Sequence, residues 1–146
     1  MWDFSAGHEI TVSNLFGQIT TQGEAIEGIT LLGGEPLDQY KETLTLLHLC
    51  AEAGLSTMLF TGYELQEMDQ NGMAAVRQNL DILVTGRYKE DYRTLQHQWI
   101  GSTNQEIHFL TSRYSSKDIK NGNYIEITVD EDGSLTILGF PPATIN

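Results

Sequence analysis

Three apolar runs in this chain stop on glycine in the same way: TLLGGEP at 30–36, MLFTGY at 58–63 and ILVTGRY at 82–88. Glycine at the end of a buried strand removes a side chain and lets a ligand approach the backbone. Glu35 adds a carboxylate at the first of these corners. A carboxylate beside free backbone carbonyls suits an ammonium group, through charge-assisted hydrogen bonds. One Gly-Gly-Glu-Pro alone reads as a strand turning into a helix, with Glu35 in water. Three glycine ends held side by side read as a site. The remaining reactive residues form no such pattern. Cys50 is the only cysteine and reads as a small buried apolar residue. His8, His48, His97 and His108 have no metal-ligand spacing.

The elements that must align these ends can be read from periodicity. Thr11 is an N-cap for a helix whose Val12, Leu15, Phe16 and Ile19 share one face, with Gly23 closing it or its loop. A strand over Ile29–Leu32 follows. Pro36 suits a helix start, Asp38 is a cap, and Tyr40, Leu44, Leu47 and Ala51 make the helical stripe up to Gly54. A second strand runs over Thr57–Phe60. A helix broken at Asn71-Gly72 carries Leu65, Met68, Met73, Val76 and Leu80, and a third strand runs over Ile82–Val84. Connections this short between apolar strands predict right-handed crossovers and a parallel sheet covered on both faces. Ligands in such sheets bind beyond the carboxyl ends of the strands, which is where the glycines fall. Residues 87–121 read as loop, with a fourth strand over Glu106–Leu110. YIEITV and SLTIL, joined through Asp130-Glu131-Asp132-Gly133, read as a β-hairpin.

The 146 residues suffice for one α/β domain spanning 1–146. Twenty acids against eight Lys and Arg give a formal charge of -12, which disfavours nucleic acid and anionic membranes. No apolar run of about eighteen residues and no signal peptide is visible. A lone cysteine suits a reducing cytoplasm, the expected location.

Gly33-Gly34-Glu35-Pro36 after a strand resembles the GGEP motif of radical S-adenosylmethionine (radical SAM) enzymes. Further segments are similar to activating proteins of anaerobic ribonucleotide reductase and other glycyl-radical activases. These are Trp2-Asp3-Phe4 with Gly7, Thr61-Gly62-Tyr63, Asp81-Ile82-Leu83-Val84 with Gly86, Gly101-Ser102 with Asn104-Gln105, and Leu138-Gly139-Phe140-Pro141. The resemblance implies a partial radical SAM-type βα barrel with parallel strands and a C-terminal hairpin. It implies S-adenosylmethionine as cofactor, with Glu35 holding its ammonium and Gly33, Gly34 and Pro36 shaping that corner. Thr61, Gly62 and Tyr63 would line the adenosyl side, with Asn104 and Gln105 as further contacts. A glycyl-radical enzyme is the implied partner.

The family also implies a 4Fe–4S cluster on three thiolates of a C-x3-C-x2-C loop, and one cysteine cannot supply that set. The resemblance therefore implies that the N-terminal strand and cluster loop are missing. Thr85 and Glu106 stand where the related segments carry aspartate and arginine. Three readings stay open: a shortened activase, a cluster-free module binding SAM, a nucleoside or a protein, and an inactive fragment. Loss of the first strand would expose the edge beside Ile29–Leu32, so self-association is expected.

Overall fold

The protein, seen here as a computed structural model, is described over residues 9–119 and over the backbone of two further strands, 126–129 and 135–138. Helix α1 (Val12–Thr20) opens where Thr11 accepts a hydrogen bond from the Asn14 amide at 3.2 Å. Strand β1 (Gly28–Leu31) lies one residue earlier than its apolar run suggests, and Leu32 is 67% exposed beyond its end. Helix α2 (Tyr40–Glu52) follows a 3-10 turn over Pro36–Gln39. The expected cap at Asp38 is corrected: Glu35 caps that turn, accepting from the Leu37 amide, and Gln39 precedes α2. In the stripe of α2, Tyr40, Leu44 and Leu47 pack on the core as expected and only Ala51 departs. Thr43, Leu46, Leu47 and Cys50 are buried, whereas Ala51 is exposed. After β2 (Ser56–Phe60), α3 (Leu65–Gln70) ends before Gly72, whose φ of 71° allows the break, and a 3-10 segment over Ala74–Asn79 continues. Strands β3 (Ile82–Thr85) and β4 (Glu106–Phe109) complete the sheet.

The sheet has the order β1-β2-β3-β4. The first three strands are parallel, as expected, with Leu31 beside Leu59 and Phe60 beside Val84. β4 is antiparallel to β3, so the described strands form an open mixed α/β sheet. Pairing at the start of β1 requires glycine. A Cβ on Gly28 would lie 2.0 Å from Ser56 Oγ and 2.1 Å from its carbonyl oxygen.

Side-chain alternation splits the core in two. Leu59 and Leu83 face the helices and pack with Leu37, Leu47, Met68, Val76 and Leu80. Met58, Ile82 and Val84 face the other way, beside Ile107 and Phe109 of β4 and under Trp99, Ile100 and Tyr114. That second layer lies over β2 and β3. All four residues of β3 are buried, but Thr30 of β1 is exposed. The expectation of full cover thus holds for the middle of the sheet and fails at β1, the edge among the described residues. The hairpin is present as antiparallel β5 (Glu126–Val129) and β6 (Leu135–Leu138), with Val129 opposite Leu135. Its Asp130–Gly133 turn lies outside the described residues, as do Trp2, Asp3, Phe4, Gly7, His8 and Gly139–Pro141.

At the amino end of β3 sits a buried clamp. Asp81 accepts from the Thr57 amide at 3.1 Å, from Thr111 Oγ1 at 2.6 Å and from Arg113 Nη1 at 3.2 Å. Arg113 also donates to the Gly54 carbonyl at 3.1 Å. This one carboxylate ties β2, β3 and the segment after β4 together, at the end of the sheet opposite the glycines.

Candidate functional site

The glycine corners do converge. Gly33, Gly34, Glu35, Thr61, Gly62, Gly86 and Gln105 line one shallow cleft of about 310 Å³, together with Phe60, Arg87 and Tyr88. Gly33 and Gly34 take φ of 82° and 53°, backbone that L side chains rarely adopt. A Cβ at either would meet nothing within 4 Å, so conformation rather than crowding calls for glycine. The two residues turn the chain from β1 so that Glu35 points back towards β2.

Glu35 does not simply face water. Oε1 accepts from the Leu37 amide and from Thr61 Oγ1, each at 2.9 Å, and Oε2 accepts from the Gly62 amide at 2.7 Å. A carboxylate offers about four lone-pair sites. Three of these donors are internal, which leaves acceptor capacity on Oε2, beside Gly62. A Cβ there would lie 3.4 Å from both Glu35 Oε2 and Arg87 Cγ, so Gly62 keeps the floor low between the Glu35 carboxylate and the stem of Arg87. Thr61 Oγ1 in turn accepts from the Tyr63 amide at 3.2 Å. The loops after β2 and β3 are laced by Gly86 N–H to the Tyr63 carbonyl at 3.0 Å.

Arg87 has no motif to mark it in the sequence, although it directly follows a strand-end glycine in a chain poor in cations. Its Nη1 lies 3.0 Å from both Glu67 oxygens, and its guanidinium sits 5.9 Å from the Tyr63 ring centre. Hydrogen bonding to Glu67, then its charge, raises the arginine further above its already high range. Tyr63 itself does not line the cleft. Its ring stands behind Arg87, and its hydroxyl lies 3.5 Å from Asp38. Burial first, then the Asp38 and Glu35 charges, push its phenol up.

Asn104 and Gln105 brace the site from the β4 side. Gln105 Nε2 donates to the Gly86 carbonyl at 3.0 Å, while its Oε1 accepts from the Gly101 and Ser102 amides at 2.9 and 3.2 Å. Asn104 Nδ2 donates to the Arg87 carbonyl at 2.9 Å and does not line the cleft; its buried Oδ1 has no hydrogen-bond partner. Pro36 occupies the first position of the 3-10 turn and lies outside the cleft. The two positions that depart from the related segments prove to be cross-strand partners, Thr85 opposite Glu106. His108 joins them, with Nε2 2.9 Å from Thr85 Oγ1 and 3.6 Å from Glu106 Oε2.

The fold is thus an α/β domain with a charged cleft at the ends of its parallel strands. Residues 1–108 match the family described as a 4Fe-4S single cluster domain, and the chain belongs to that family. Among its relatives are anaerobic ribonucleoside-triphosphate reductase-activating proteins. The one from Haemophilus influenzae is 28% identical over 116 residues, 73% of each chain. That from Escherichia coli is 34% identical over 88 residues, 58% of this chain and 56% of that protein. That from Vibrio cholerae is 27% identical over 119 residues, 75% of each. No solved structure matches the chain.

A cluster does not fit the residues present. Cys50 is the sequence's single cysteine. It is fully buried on α2, and burial pushes its thiol up, away from the thiolate a cluster needs. Among the described residues no group of three His, Cys, Asp or Glu is placed to hold a metal ion. Cys50 is therefore expected to resist alkylation by iodoacetamide at pH 8 in the folded protein and to react only on denaturation. Rapid native labelling would contradict its burial. No helix among the described residues is long and apolar enough to cross a membrane.

Proposed function

We propose that this chain is a radical SAM-type activating protein for a glycyl-radical enzyme of the anaerobic ribonucleotide reductase kind, and that its strand-end cleft holds S-adenosylmethionine. The same reading takes the open sheet for part of a radical SAM βα barrel and puts the protein in the reducing cytoplasm. The observation that carries it is the placing of the Glu35 carboxylate and the stem of Arg87 on either side of Gly62, on a floor of backbone from three strand ends. An acid and a base on one floor suit the ammonium and carboxylate of an amino acid. Glu35 Oε2 takes the ammonium; the Arg87 guanidinium, turned from Glu67, takes the carboxylate. Gly62 and Gly86 let the ligand reach backbone, and Gln105 holds the Gly86 carbonyl in place.

S-adenosylmethionine supplies the radical chemistry of this family on one-electron reduction. No residue of 1–146 supplies the cluster's thiolates, so this chain by itself is inactive in the proposal and its own contribution is binding and orientation. Calorimetric titration with S-adenosylmethionine tests that contribution. Binding is expected, with a rise in unfolding free energy of about 2.7 kcal/mol at a hundredfold excess over Kd. Absence of both heat and stabilisation at millimolar ligand overturns the reading.

A further inference from the structure

We propose that the groove between α1 and α2 receives a basic, apolar peptide segment of a partner protein. This goes beyond the cofactor reading and does not depend on it. The groove measures about 450 Å³ and backs onto the strand-end cleft, with which it shares Gly33, Gly34 and Glu35. Its apolar lining comes from Val12 and Leu15 of α1, Leu46 of α2 and Leu31 of β1. At its mouth Leu32 and Ile10 are 67% and 46% exposed. Exposed apolar side chains beside an apolar groove mark an interaction surface.

The rim selects the occupant. Glu35, Asp38 and Glu42 line it, and among the described residues no lysine, arginine or histidine does. An anionic lipid surface is repelled by such a rim. A second copy of this chain would bring a charge of -12 against -12. A segment with apolar side chains flanked by Lys or Arg satisfies both floor and rim, and helix-like or extended segments commonly bind this way. Seated there, it would lie against the outer wall of the Gly33–Glu35 corner.

The probe is a fluorescein-labelled synthetic peptide of alternating Leu and Lys, with a Leu–Glu peptide as its counterpart, read by fluorescence anisotropy on the full chain. The Leu–Lys peptide is expected to bind and the Leu–Glu peptide to fail. Leu32→Ser and the double variant Asp38→Asn/Glu42→Gln should each weaken binding at least tenfold, with unchanged circular dichroism and melting. The control Glu90→Gln/Asp91→Asn, which removes two exposed acids away from the groove, should leave it unchanged. Equal loss in the control means charge attraction without a site, and overturns the proposal. So does binding indifferent to Leu32→Ser, displacement of the peptide by S-adenosylmethionine, or a homodimer in light scattering that Leu32→Ser dissolves.

Discussion

Replacing Asp81 by alanine is expected to lower the unfolding free energy by about 3 kcal/mol, the scale for removing one partner of a buried charged pair. The carboxylate is largely enclosed and accepts from Thr57, Thr111 and Arg113. Its loss removes an acceptor from the Thr57 amide and the Thr111 hydroxyl and leaves the Arg113 guanidinium, among the described residues, with the Gly54 carbonyl. Arg113 is partly exposed and can be rehydrated, which holds the figure to the lower end of the range. Asp81→Asn should fall between, because its amide oxygen can serve only part of that donor set. Urea denaturation measures all three proteins. A loss below about 1 kcal/mol, the worth of one ordinary hydrogen bond, would show that the clamp does not hold the sheet.

Glu35→Ala should show two effects at once. Three donors lose their acceptor: the amides of Leu37 and Gly62 and the hydroxyl of Thr61. The corner is partly open to water, so the expected stability loss is about 2 kcal/mol rather than the sum of three unmade bonds. Affinity for S-adenosylmethionine should fall by a further 1.5–3 kcal/mol, roughly ten- to a hundredfold, the worth of a hydrogen bond to a charged group. Glu35→Gln separates the effects, since it removes the charge while one amide oxygen still serves Leu37 and Thr61. Titration of all three proteins well below their melting temperatures reads the affinity alone. An unchanged Kd in Glu35→Ala would remove Glu35 from the ligand's path and leave it as a cap and strand tie.

Much of this framework was legible in the chain. Thr11 before an amphipathic run, the break at Asn71-Gly72 and the three glycine-ended strands each rest on local chemistry, and the strands lie within a residue of where the sequence puts them. What escaped depends on distant partners. The direction of β4 is set by pairing with β3, not by EIHF itself. Asp38 has the composition of a cap, but it lies inside the 3-10 turn that Glu35 caps, and its carboxylate meets the Tyr63 hydroxyl instead. Asp81 sits inside a motif and gives no sign that Thr111 and Arg113, some thirty residues on, will close around it. Arg87 lacked a signal for the same reason: its meaning comes from Gly62, in the loop after β2. Asn104 and Gln105 matched related segments, and their long-range bonds show both bracing the loop after β3, with Gln105 also lining the cleft.

The two sides of the cleft differ in how firmly they are built. β3 is bonded to neighbours on both edges and buried along its whole length, whereas β1 has β2 on one side and exposed Thr30 on one face. Backbone openings cost least where cover and bonds are fewest. The Arg87 side is thus an anvil, and the Gly33–Glu35 side is the part that can give. A ligand that grips Glu35 would be felt first in the amplitude of β1.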